Sequence, residues 1–198
     1  MKHGFRDVLR LLEEAGELRR IKKAVDPRHL SSLSAQAKEA TLFESVVGYP
    51  DWRVAGALVS TRKRLALAMG CKEADIARRF EDGIRHPIDG RVVKDGPCQE
   101  VVRQGDDVDL TSIPIPLMHV KDGGPYISAT MVVSKDPEYG RNVGSYRMMY
   151  RTPRDTGIDL VSSSDMRRYY QRALDAGRPL EIAVAVGVHP YEMLAASY

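Results

Sequence analysis

The chain has 198 residues, 30 Lys and Arg against 27 Asp and Glu, and a formal net charge of +3. With 43% hydrophobic and 29% charged residues it is composed like a globular domain, which argues against wholesale disorder; the mild charge excess gives no sign of a dedicated nucleic-acid binder. No run approaches the roughly 20 apolar residues of a membrane span. The N-terminus carries Lys2, Arg6 and Asp7 where a signal peptide would be apolar. Cys71 and Cys98 stand alone, so a disulfide framework or a thiolate zinc site is not indicated, and the expectation is a cytoplasmic protein with reduced thiols.

In chain order, Phe5, Val8, Leu9 and Leu12 fall at helical spacing, with Gly16 as a stop. Leu18 to Val25 reads as a strand ended by Asp26-Pro27, and residues 29 to 41 as a second helix or a surface segment. Leu42 to Val47 and Val54 to Val59 read as strands around the turn Gly48-Tyr49-Pro50-Asp51. Thr61 to Met69 and Glu73 to Glu81 read as helices, the first closed by Gly70. Five of the 11 prolines then lie between Pro87 and Pro125. Within that stretch Val101 to Leu110 has strand and turn character, whereas Pro114 and Pro116 forbid a central strand. A domain boundary is expected near residue 100.

The second half opens with two expected strands, Tyr126 to Ser134 and Asn142 to Tyr150, joined by a hairpin-like connection. Ser162 to Ser164 is placed to cap a helix reaching about Ala176, with Gly177 as its stop. The apolar run Ile182 to Val188 predicts a strand buried on both faces. A last helix begins at His189-Pro190-Tyr191-Glu192, and Leu194 to Tyr198 reads as the middle of an element.

There is no G-x-G-x-x-G, no P-loop and no G-x-S-x-G. His119 and His189 read as surface or turn histidines. The segment Asn142-Val143-Gly144-Ser145-Tyr146-Arg147 puts an amide oxygen, a small residue, a hydroxyl and a guanidinium within six positions. Such a set suits a phosphate and a hard cation together; a strand with a polar edge is the plainer reading. On an extended strand Asn142, Gly144 and Tyr146 face one way and Val143, Ser145 and Arg147 the other, so the chain must bend if Asn142 and Arg147 are to meet one ligand. Asp165 and Glu192 each sit in the first turn of an expected helix, where an acid also complements the helix dipole.

Taken together, Phe43-Glu44-Ser45-Val46-Val47-Gly48-Tyr49-Pro50, Arg53-Val54-Ala55-Gly56, Pro97-Cys98-Gln99-Glu100-Val101-Val102, Ile113-Pro114-Ile115-Pro116, Asp122-Gly123-Gly124-Pro125-Tyr126-Ile127-Ser128-Ala129, Asn142 to Arg147, Gly187-Val188-His189-Pro190 and Leu194-Ala195-Ala196-Ser197 follow one another as in a known family. The chain resembles the N-terminal part of UbiD-type decarboxylases, which use prenylated flavin mononucleotide.

The resemblance implies an α+β chain: a small α/β domain over residues 1–100, then a split-β-barrel flavin-binding domain over 101–198, truncated at its C-terminus. It implies non-oxidative decarboxylation, or the reverse carboxylation, of an aromatic or α,β-unsaturated acid. Prenylated FMN is the implied cofactor, supplied by a flavin prenyltransferase, with Mn²⁺ or Mg²⁺ and a nearby K⁺. By the same resemblance Asn142, Asp165 and Glu192 hold the metal, with Asp165 standing where the family has His. An all-oxygen set of this kind leans toward Mn²⁺ or Mg²⁺. Asn142, Val143, Gly144, Ser145, Tyr146, Arg147, Ser164, Asp165 and Glu192 line the cofactor, and Arg147 faces the substrate carboxylate. The family's proton-donating glutamate and its dimerising C-terminal domain fall beyond the position of Tyr198, so the full-length form is expected to be a homo-oligomer. Two other readings stand beside this one: a non-catalytic or partial subunit that needs a second chain, and a flavin reductase-like domain using unmodified FMN.

Overall fold

The computed structural model describes residues 4–160 and 163–198. In the first half a small sheet is clasped by helices. Helix α1 (Phe5–Glu14) buries Val8 and Leu12, one turn apart on a single face. Strand β1 (Leu18–Ile21) pairs in parallel with β2 (Ala40–Phe43), and β2 pairs antiparallel with β3 (Val54–Gly56). Between β1 and β2 runs the short helix α2 (Leu30–Gln36). The central strand β2 is buried at all four positions.

One side of this unit packs Val8, Leu12, Ala40 and Ala68 together, and another gathers Val25, Leu30, Phe43 and Val46. Each fully buried Val, Leu or Phe contributes roughly 1.5–3 kcal/mol. Helix α3 (Arg62–Met69) starts at Thr61, whose hydroxyl accepts from the Arg64 amide, and stops at Gly70 in the left-handed region, φ 64°. Its buried Arg64 donates from its terminal nitrogens to the Lys38 carbonyl at 2.9 Å and to the Ser60 hydroxyl, while its Nε is left without a partner among the described residues. Helix α4 (Ile76–Arg85) follows a short 3-10 turn at Glu73–Asp75.

Residues 86–125 contain no α-helix and no strand, only 3-10 turns at Pro97–Gln99, Gly105–Asp107 and Leu110–Ser112. The strand character expected over Val101 to Leu110 is therefore not realised; Val101 and Val102 are exposed and have no strand to pair with.

Two further three-stranded sheets make up the second half. Strands β4 (Tyr126–Ile127), β7 (Met148–Thr152) and β8 (Asp155–Ile158) form one, in the order β4-β7-β8. Strands β5 (Thr130–Asp136), β6 (Gly140–Ser145) and β9 (Ile182–Val186) form the other, in the order β6-β5-β9, antiparallel throughout. Each of the two long strands expected here is thus broken, at Ser128-Ala129 and at Tyr146-Arg147. The chain leaves one sheet and enters the other at each break.

Helix α5 (Asp165–Asp175) covers β5 and β6. Its Met166, Tyr169 and Ala173 are buried, and Ser164 caps it by accepting from the Arg167 amide. Of the expected caps, Ser162 lies outside the described residues. The expectation of two-faced burial for Ile182 to Val188 is corrected: β9 is an edge strand, with Ile182, Val184 and Val186 at 40%, 39% and 61% exposure. Finally α6 (Pro190–Ala195) packs against α3 and β5, and its Tyr191 and Leu194 join a core of Ala66, Met69 and Ile76. Among the described residues no helix is long and apolar enough to cross a membrane, the three sheets do not close into a barrel, and Cys71 and Cys98 are unpaired.

Candidate functional site

Strand β5 alternates strictly between its faces: Thr130, Val132, Ser134 and Asp136 are buried, and the residues between them are less so. Asp136 accepts from Arg172 Nε of α5 at 3.0 Å, so the buried face is the one beneath α5. The register pairs Ser134 with Asn142 on one side and with Ile182 on the other. Directly opposed residues share a face, so Asn142 also lies on the α5 side of the sheet.

Asn142 is half-buried, and its side-chain amide has no partner among the described residues. Ser134 is only 2% exposed, and its hydroxyl also lacks a partner. Two neighbouring polar groups left open on a covered face are uncommon, because buried polar atoms are nearly always satisfied. Gly144, next on the same face, cannot carry a side chain in place: a Cβ there would run into the Tyr146 ring. Tyr146 folds back over Gly144, and its carbonyl accepts from the buried Thr130 hydroxyl.

The bend demanded by the sequence pattern occurs at Tyr146-Arg147, between β6 and β7. Arg147 is exposed and lies over the Tyr126 ring at 5.8 Å, with no ion pair among the described residues. Val143 and Ser145 point to the opposite face from Asn142 and are exposed.

The two carboxylates have local occupations. Asp165 pairs with Arg168 at 3.0 Å, and Glu192 Oε2 accepts from the His189 amide at 3.1 Å, closing a capping box on α6. His189 is a buried N-cap, its Nδ1 accepting from the Tyr191 amide at 3.1 Å. Beside the start of α5 an open cavity of about 510 Å³ is lined by Ser163, Ser164, Asp165, Arg167, Arg168 and Arg172, a strongly cationic wall.

These groups fit a phosphate-bearing cofactor: the open Asn142 amide and the unpaired Arg147 guanidinium can each meet an anionic, oxygen-rich group. For a metal the fit is partial. Among the described residues no three His, Cys, Asp or Glu side chains gather around one point. A cation held by Asn142, Asp165 and Glu192 would draw Asp165 from Arg168 and Glu192 from its cap.

Sequence reasoning missed Ser134, Thr130 and the Asp136–Arg172 clamp. The signal was available: Thr130, Ser134 and Asp136 stand at even positions of the strand, on the same face as Val132.

Residues 9–84 match the family model described as the 3-octaprenyl-4-hydroxybenzoate carboxy-lyase N-terminal domain, and residues 91–198 match the carboxy-lyase Rift-related domain. The chain belongs to the UbiD family. An uncharacterised protein in the cooM 5' region of Rhodospirillum rubrum is 34% identical over 188 residues, covering 90% of this chain and 40% of its own length. The evolved dimeric form of the UbiD-class enzyme HmfF from Pelotomaculum thermopropionicum, in complex with prFMN, is 36% identical with a TM-score of 0.88, over 96% of this chain and 45% of that one. The closed form of vanillic acid decarboxylase from Sedimentibacter hydroxybenzoicus is 29% identical with a TM-score of 0.90, over 100% of this chain and 45% of that one. The chain thus spans less than half the length of these relatives, and its mixed α/β fold is that of UbiD-class enzymes.

Proposed function

We propose that this chain forms the cofactor-holding part of a carboxy-lyase that uses prenylated FMN to remove CO₂ from, or add it to, an aromatic or α,β-unsaturated acid. The observation that carries the reading is the open amide of Asn142 on the face covered by α5. It comes with an unpaired Arg147 one bend away, in the segment that matches the Rift-related domain. The binding of prFMN by HmfF supports it.

When bound, the flavin supplies the electron sink for breaking the carbon–carboxylate bond. This chain's residues orient and hold. Asn142 and Ser164 offer hydrogen bonds to the cofactor and Gly144 and Tyr146 shape its bed, whereas Val143 and Ser145 face the other side of β6. The Arg147 guanidinium forms a bidentate pair with the substrate carboxylate and fixes the bond to be broken. Asn142, Asp165 and Glu192 would hold Mn²⁺ or Mg²⁺, with K⁺ as a second cation, and to do so Asp165 would have to leave Arg168 and Glu192 its cap. The split-barrel description of residues 101–198, the boundary at residue 100, a reducing cytoplasmic setting, a homo-oligomeric full-length form and a flavin prenyltransferase as supplier belong to the same reading.

The test is co-expression with a flavin prenyltransferase, followed by the absorption spectrum and metal content of the purified chain. The expected outcome is bound modified flavin with stoichiometric Mn²⁺, both lost in a folded Asn142→Ala variant. Retention of flavin by that variant would remove Asn142 from the site.

The exposed apolar strand β9 favours a second reading, in which further polypeptide completes the site and this chain alone is inactive. Activity that appears only when the remaining half of a relative is added in trans would decide for it.

A further inference from the structure

We infer that Ser134 is a positioning residue for Asn142. The inference rests on the proposed cofactor site but concerns a residue on a different strand. An asparagine that offers its oxygen to a ligand must send its NH₂ group elsewhere. The only unsatisfied acceptor shown on the adjoining strand is the Ser134 hydroxyl, directly opposite in the β5–β6 register. Opposed Cβ atoms in an antiparallel pair lie about 4.5–5.5 Å apart, so a rotamer change brings Ser134 Oγ within reach of Asn142 Nδ2. The hydroxyl then accepts from the amide N–H and turns the amide oxygen out of the sheet, toward the ligand.

The burial of Ser134 makes this specific. At 2% exposure the hydroxyl has no water to fall back on, and its neighbours on the same strand face are satisfied: Thr130 donates to the Tyr146 carbonyl, and Asp136 is bound to Arg172. An orphaned buried hydroxyl weakens the unliganded fold and gains its partner when the amide is set for binding. A purely structural serine would show the opposite sign, because its removal would cost stability.

The experiment measures two quantities on Ser134→Ala and Ser134→Thr. One is the dissociation constant for FMN in the presence of Mn²⁺, followed by quenching of flavin fluorescence. The other is the Tm of the ligand-free chain. Ser134→Ala is expected to weaken FMN binding about tenfold, the scale of one lost hydrogen bond, without lowering the Tm. Ser134→Thr, which keeps the hydroxyl, is expected to restore most of the affinity. Wild-type affinity in Ser134→Ala overturns the inference, as does a fall in affinity that goes with a fall in Tm and is not restored by Thr. A wild-type chain that binds no FMN with Mn²⁺ overturns the cofactor-site reading itself, and this inference falls with it.

Discussion

Asp136 shows how one side chain ties an element down. Burial would raise its pKa, but the amides of Glu138 and Tyr139, at 2.9 and 3.1 Å, and the Arg172 guanidinium outweigh that and hold the carboxyl below its ordinary value. A carboxylate whose folded pKa lies below its unfolded one stabilises the fold above the unfolded value of about 3.9 and loses that contribution as pH falls through the folded pKa. The Tm should therefore drop between pH 5 and acid conditions, and Asp136→Asn should flatten that drop while lowering the Tm at pH 7. Thermal unfolding across pH checks both, and an Asn variant with wild-type acid dependence would remove Asp136 as the cause. The sequence showed Asn142, Gly144 and Arg147 as a group because they stand within six positions. Ser134 stayed hidden because its relation to Asn142 is a cross-strand register, which is set by the hairpin and not by local spacing.

Among the elements, the helices were legible almost throughout. Ser164 caps where a hydroxyl was expected to, Thr61 is the cap of the helix it was expected to begin, and Gly70 and Gly177 stop where glycine was expected to. The strands were legible as apolar runs but not as members of sheets. Tyr126 to Ser134 reads as one strand, yet Tyr126-Ile127 pairs with β7 while Thr130 onward pairs with β6 and β9. That division comes from distant partners and leaves no local mark. The run Ile182 to Val188 was misread for a related reason: apolar continuity reports what a strand tolerates, not which neighbours it has. With β9 at the edge, Val184→Lys is expected to change the stability of this chain by no more than about 0.5 kcal/mol, in keeping with an open surface position. Chemical denaturation measures it, and a loss above about 2 kcal/mol would mean that a second copy or another surface covers the strand.

At the scale of the whole molecule, α6 is what returns the C-terminus to the first half. Tyr191 meets Phe80 edge to face at 6.2 Å, and its hydroxyl occupies the space that a side chain at position 83 would need, with a Cβ there only 2.6 Å away. Tyr191→Ala should cost about 1–3 kcal/mol and should speed amide exchange in α4 and α6 together. Exchange that rises in α6 alone would mean the two helices are not coupled.

The break at Tyr146-Arg147 has a consequence of another kind. Because β6 and β7 belong to different sheets, the amide of Asn142 and the guanidinium of Arg147 ride on two separately packed layers. Their spacing is an angle between sheets expressed as a length, and it is adjustable from afar. A substitution beneath α5, or a change of packing at β4, would retune the gap between these two groups while leaving both side chains, and the four residues that join them, chemically unchanged.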